Sequence, residues 1–307
     1  MSQYSWSELG SIFAMQGFAG LSLFSVLLLM ALGLAIIFGQ MGVINMAHGE
    51  FMAMGAYTIC MASKIVNSSF PAFLPYYFFF AIIAAFIIAF TMGYIVERLL
   101  INRLYNRPLD TLLATWGVSL ILQQSFRSIF GAREVSATLP DWLMGSYKPT
   151  ESIDIPLNGI MVMGLAALMT ASVIFIMYKT RWGIRIRATT QNRAMSGAAG
   201  INTKRVDRFT FALGCGIAGI AGAAFTTIGS TGPTSGSLYI VDTFLVVVFG
   251  GAASLLGTIS SAFSIAQGQS IMEFFMTGSM AKVFTLLTIV LILMIKPQGL
   301  FASKIRR

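Results

Sequence analysis

The chain has 307 residues, 56% hydrophobic and 10% charged, with a formal net charge of +9. Soluble domains carry roughly a quarter charged residues, so this composition excludes a soluble fold and leaves a polytopic helical membrane protein. The charge is not spread as a nucleic-acid face. Fifteen of the 20 basic residues lie in Arg98 to Arg107, Lys179 to Arg208 and Lys296 to Arg307, the clustering of the positive-inside rule, which makes these segments cytoplasmic.

In chain order, Met1 to Gly20 has no Lys or Arg, so it lacks a signal peptide's basic start, and the first span is expected to be retained with the N-terminus outside. Gly17 to Phe38 crosses inward. Gln40 to Glu50 forms a polar break that either turns the chain or dips into the membrane. Phe51 to Val66 returns outward, Tyr76 to Val96 crosses inward, and Pro108 to Ile129 crosses outward. Residues 131–158 follow as a net-acidic external loop, with Glu134, Asp141, Glu151 and Asp154 against Arg133 and Lys148. Ile160 to Tyr178 crosses inward to a basic cytoplasmic loop at 179–208. Phe209 to Ile228 crosses outward, and Gly229 to Tyr239 is an external loop rich in Gly, Ser, Thr and Pro. Three short segments near Val241–Ser254, Leu255–Phe275 and Met280–Ile295 bring the C-terminus inside. The expectation is an all-α protein with about eight spans plus Gly-broken or re-entrant segments, residues 1–307 forming one transmembrane domain.

Two regions stand out. Gly42-Val43-Ile44-Asn45-Met46-Ala47-His48-Gly49-Glu50 holds the one histidine and a carboxylate between two apolar runs. Ionisable groups persist at that depth mainly where they face protein or a water-filled path. His48-Gly49-Glu50 has the H-x-E of zinc deaminases without their P-C-x-x-C, and residues two apart on a helix do not share a face, so a metal site does not follow. Capping the broken helix and lining a path are the two readings left for His48 and Glu50. The second region, Gln191 to Ile201 within the basic loop, mixes small, apolar and polar residues. It reads as a short helix closed by Gly200, suited to docking in a groove on a partner protein.

Other signals are structural. Cys60 and Cys215 sit singly in apolar runs and give neither a disulfide framework nor a metal spacing. Gly214-Cys215-Gly216-Ile217-Ala218-Gly219 has the look of a G-x-G-x-x-G, but it lies in an apolar run. Gly214, Ala218 and Gly222 fall at i, i+4, i+8, a small-residue stripe for close helix approach. Ile36 to Gly39 and Val246 to Gly251, with Gly250 and Gly251, form a weak internal echo of the kind that marks a pathway. Asp110 and Asp242 read as helix-capping residues, and Arg127, Glu273 and Lys282 as interfacial. The chain has no Gly-Lys pair, so it lacks a phosphate-cradling ATP loop. No nucleophile constellation marks it as an enzyme.

Gly42 to Glu50, Arg107 to Gln124, Thr190 to Met195 and the ending Lys296-Pro297-Gln298-Gly299-Leu300-Phe301 resemble the permease subunits of branched-chain-amino-acid-type ABC importers, most closely the urea-transport permeases. The resemblance covers about Gly33 to Phe301; Ala253 departs from it where a further glycine is usual. It implies a bacterial inner-membrane protein acting with a second, non-identical permease, two ATPase subunits carrying ATP and Mg, and an extracytoplasmic binding protein, with no cofactor on this chain. Gln191, Asn192, Arg193, Ala194, Met195, Gly200 and Ile201 would then belong to the helix that couples to the ATPases. For a small neutral solute such as urea, Asn45, Thr115, Trp116, Gln123 and Gln124 would line the path with His48 and Glu50. A branched-chain amino acid or short amide is the alternative cargo, and an ATP-independent channel or ion-coupled carrier the alternative class.

Overall fold

The computed structural model describes residues 6–105, 107–150, 153–251, 254–296 and 299. Ala253, and the closing segment apart from Lys296 and Gly299, lie outside the described residues. The helices are α1 (Trp6–Met41), α2 (His48–Ser69) and α3 (Tyr77–Val96). The last runs on through a π turn at Glu97–Ile101 into α4 (Asn102–Leu104). Then come α5 (Pro108–Phe130), α6 (Leu157–Lys179), the short α7 (Arg181–Gln191) and α8 (Arg193–Ala198), α9 (Thr203–Phe225), α10 (Ser235–Gly250), α11 (Leu255–Phe275) and α12 (Gly278–Ile295).

In hydrocarbon the backbone finds no water partner, so apolar runs close their hydrogen bonds within helices. The α1, α3, α6, α9 and α12 segments are long and apolar enough to cross a bilayer. Three more, α2, α5 and α11, reach 22, 23 and 21 residues but carry polar side chains. At 16 residues α10 is shorter than a span. The expected all-α membrane fold is therefore present. Three details differ from expectation. The first helix begins well before Gly17. The second-half break ends at Ser235, not near Val241, because Ser235 ties the turn through its Oγ, which accepts from the Gly232 amide at 2.9 Å. The acidic loop is not irregular throughout: β1 (Ser146–Thr150) and β2 (Ile153–Pro156) pair antiparallel, Tyr147 opposite Ile155. Ile153 and Ile155 turn inward while their neighbours stay exposed, the alternation of a one-sided strand.

This hairpin marks one end of the molecule, and α7 with α8 mark the other, basic end. Helix α1 runs from the hairpin end, where Gln16 meets Ser270, to the basic end, where Gln40 accepts from the Thr190 hydroxyl at 2.8 Å. Helix α9 runs the opposite way and sits at the centre, buried along almost all of its second half. Its small residues let three helices approach. A Cβ on Gly214 would strike the carbonyl of Gly33 in α1, one on Gly219 that of Ala85 in α3, and one on Gly222 that of Met52 in α2. Ala218 is fully buried between them. This is small-residue packing as membranes use it, where backbones must come close because water supplies no drive.

Two crossings join helices of the same rank in the two halves, glycine against glycine: Gly33 of α1 against Gly214 of α9, and Gly49 of α2 against Gly236 of α10. Contacts between equivalent positions are what a two-fold axis produces. The directions agree. Helix α2 leaves the level of Met30 for the hairpin end, where Ser63 meets Thr138. Helix α10 leaves Gly49 for the basic end, where Phe244 meets Phe38. Likewise α3 descends from Tyr77 beside Thr138 to Glu97 beside Arg208, and α11 ends at the hairpin end, with Gln267 and Ser270 against Gly17 and Gln16. The units α1–α2–α3 and α9–α10–α11 are thus inverted copies. The apolar-Gly echo was misplaced: Gly39 falls near the end of α1, whereas Gly250 packs the end of α10 against Gly257, and Gly251 closes that helix.

Candidate functional site

The inverted pair places two helix starts at mid-depth. After α1, Gly42 turns at φ +65°, a left-handed conformation that glycine adopts without the penalty a Cβ brings. Residues 43–46 then climb back, without helical bonding, to the level of Met30. Asn45 holds the restart of the helix: its Oδ1 accepts from the Ala47 amide at 3.1 Å and its carbonyl from the His48 amide at 3.3 Å. Thr115 of α5 clamps the same segment, its Oγ accepting from the Met46 amide at 3.1 Å.

From that start the side chains diverge. His48 is fully buried toward α1, with Nε2 3.1 Å from the Met30 carbonyl and its ring against Gly33. Glu50 is fully buried toward α5, where its Oε1 accepts from Gln123 Nε2 at 2.9 Å and Ser119 Oγ at 3.2 Å. Four buried polar atoms here have no protein partner: Asn45 Nδ2, His48 Nδ1, Glu50 Oε2 and Tyr57 Oη. Each such atom costs about 1–3 kcal/mol when left unmade, and two more stand elsewhere, Glu97 Oε1 and Thr231 Oγ1. Among the described residues no three His, Cys, Asp or Glu side chains come close enough to hold a metal ion.

The structure thus brings together Asn45, Glu50, Thr115 and Gln123, with His48 on the opposite side of α2. It does not bring Trp116 and Gln124 to them. Both are exposed on the outer side of α5, because one residue of helix is a turn of about 100° away from the Thr115, Ser119, Gln123 stripe. Ser119 was missed, although its i, i+4 relation to both neighbours was readable.

At the basic end, the expected helix is split. Helix α7 stops at Gln191 and Asn192 caps α8, its Oδ1 accepting from the Met195 amide at 3.0 Å. Gly200 stands at φ +82°, and the amides of Gly200 and Ile201 return to the Gly197 and Ser196 carbonyls, each at 3.0 Å. That pair is a Schellman closure, which holds the helix exit rigid. Ala194 is exposed, and Met195 is 68% exposed. Arg193 instead folds back onto Asp207 and lies over the Tyr105 ring, 4.1 Å from its centroid. Burial, and then the Asp207 carboxylate, push the Tyr105 phenol above its usual pKa.

Residues 17–293 match the family model described as branched-chain amino acid transport system / permease component. The chain belongs to that family. Among its relatives, the LivH high-affinity branched-chain amino acid permease protein of Salmonella typhimurium is 28% identical, over 96% of this chain and 97% of that protein. BraD of Pseudomonas aeruginosa, named for the same transport system, is 25% identical over 92% and 93%. LivM of Escherichia coli K12 is 25% identical over 90% of this chain and 67% of its own length. No solved structure matches the chain significantly. The closeness to urea permeases expected from the sequence is not shown by these relatives. Membership makes this permease a transport subunit of the ABC importer class.

Another ion pair of this permease escaped the sequence reading. Asp242 does not cap α10; it lies inside the helix, 2.7 Å from Lys282 of α12, and Lys282 is not simply interfacial. A pair so placed joins the half-length helix to the last span.

Proposed function

We propose that this permease forms part of the path for branched-chain amino acids in an ATP-driven importer. Its partners would be a second, non-identical permease, two ATPases that carry ATP and Mg, and an extracytoplasmic binding protein. It would lie in the inner membrane with the hairpin end outside and α7–α8 in the cytoplasm, as the basic clusters require. The observation that carries the cargo class is the printed function of relatives matching this chain nearly end to end. The site's chemistry supports it. Helix starts at mid-depth favour a carboxylate, and the free oxygen of Glu50 suits an ammonium group. An apolar groove of about 310 Å³, lined by Ile44, Met46, Leu112, Ile240 and Phe244, fits an aliphatic side chain. In the alternating-access cycle, ATP-driven movement at α8 would rock the two inverted units against each other.

Urea is the second reading, favoured by one observation. Glu50, Ser119 and Gln123 present an acceptor and amide set that fits a neutral, donor-rich solute. The experiment is uptake of labelled leucine and labelled urea into vesicles carrying the complete importer, with and without ATP. Leucine uptake that requires ATP is expected. ATP-dependent urea uptake alone would reverse the cargo, and flux of either solute without ATP would replace the importer with a channel or carrier.

A further inference from the structure

Arg193 lies in the segment assigned to ATPase docking, yet its guanidinium is turned into the membrane domain. It is paired with Asp207, which is 4% exposed. It covers the Tyr105 ring, and the Tyr105 hydroxyl closes the triangle by donating to Asp207 Oδ1 at 3.4 Å. The next residue of α9 continues the chain of contacts. Arg208 Nε lies 2.9 Å from Glu97 Oε2, and Arg208 also reaches the Tyr94 hydroxyl at 3.3 Å. Glu97, itself fully buried, opens the π turn where α3 changes from regular helix, and such turns are frequent at functional sites. Residues on three separate segments are therefore joined in one network: α8, the tail of α3, and the base of α9.

We propose that Arg193 is a tether that carries the motion of α8 into α3 and α9, rather than a contact with the ATPase. The proposal rests on the importer reading above. The geometry supports it on both sides of α8. Ala194 and Met195 are exposed, free for a partner, while the Arg193 side chain, 41% exposed, is tied at its tip to the buried Asp207. The Schellman closure at Gly200 keeps the exit from α8 from absorbing a displacement. A planar, stacked, carboxylate-paired guanidinium resists sliding in a way a lysine ammonium does not. Past Arg193 the network ends on α3 and α9, the helices that meet at Gly219 and Ala85 in the centre of the bundle. A push on α8 thus reaches the inverted core through two ion pairs, Arg193–Asp207 and Arg208–Glu97.

The test is made on the complete reconstituted importer, with ATP hydrolysis and solute uptake measured on the same preparation and normalised to assembled complex. With Arg193→Gln, binding-protein-stimulated hydrolysis should stay within about twofold of the parent while uptake per ATP falls about tenfold, the size of an ordinary coupling loss. Arg193→Lys should recover part of the ratio, because it keeps the charge and loses the stacked fork. Equal losses of hydrolysis and uptake would overturn the proposal in favour of a docking contact. Hydrolysis and uptake both at parent levels would overturn it outright, and failure of both variants to assemble would overturn it by assigning Arg193 to holding the fold. Absence of ATP-dependent uptake in the parent would fell the importer reading itself, which separates that failure from failure of the tether.

Discussion

The start of α2 and the loop around α8 are both polar interruptions in an apolar chain, but they solve opposite problems. At mid-depth, Asn45, His48 and Glu50 are fully buried and each keeps one polar atom without a partner. At the basic end, Arg193 and Arg208 are each matched to a carboxylate and an aromatic ring, and one atom there, Glu97 Oε1, is left without a partner. Unpaired groups are tolerated where a passing solute or water can satisfy them; paired groups are wanted where a position must be held. The contrast suits the two roles proposed above, solute path for the first region and force transmission for the second, and substitutions at each should fail in different ways.

The largest effect is expected from the glycines that set the core, in contrast to the glycine that closes α8. In Gly222→Leu the new side chain would run into the Met52 carbonyl and the backbone of Ala56, and forced overpacking of this kind costs about 3 kcal/mol. The variant should lose its folded monodisperse form in detergent, visible by size-exclusion and thermal unfolding. Gly200 has open space around it but a positive φ, so Gly200→Val should cost only about 1–2 kcal/mol from backbone strain. It should leave the protein assembled while lowering uptake. If Gly222→Leu were as stable as Gly200→Val, the close crossing of α2 and α9 would be wrong.

Glu50→Gln comes next. The substitution preserves shape and still offers an oxygen to Ser119 and Gln123, so stability should change by no more than about 1 kcal/mol. Uptake should nevertheless fall about tenfold, because the charge offered by the free oxygen is lost. Full activity in a stable variant would remove Glu50 from the path and leave it as a capping residue.

Much of this division could be seen in the chain before its fold. The broken segment at Gly42 to Glu50 announced itself because His48 and Glu50 are conspicuous among apolar residues, and Gly200 because a glycine after a short mixed stretch is a helix exit. The small-residue stripe of α9 was readable from spacing alone. What could not be read depends on distant partners. Nothing local to Asp207 or Glu97 says that an arginine 14 or 111 residues away will meet it. The inverted repeat was hidden for a similar reason: it is carried by backbone contacts, Gly33 to Gly214 and Gly49 to Gly236, which demand only smallness and leave no matching string. The hairpin at 146–156 was missed because its alternation is only a few residues long.

The smallest expected effect, that of Gln124→Ala, makes the sharpest comparison, because it is set beside the adjacent residue of one helix. Gln123 donates to Glu50 at 2.9 Å and to Ser119 at 3.1 Å, whereas Gln124 is exposed on the outer side of α5 beside Ile121 and Leu120. Gln123→Ala strips a donor from a buried carboxylate and should cost about 1–3 kcal/mol, since hydrogen bonds to charged groups are worth more than neutral ones. Uptake should drop with it. Gln124→Ala should stay within about 0.5 kcal/mol of the parent, as surface substitutions usually do. Paired thermal melts and leucine uptake on the two variants decide the matter. A larger loss at Gln124 than at Gln123 would turn α5 around by a third of a turn and place the path on the face that carries Trp116, outside the bundle.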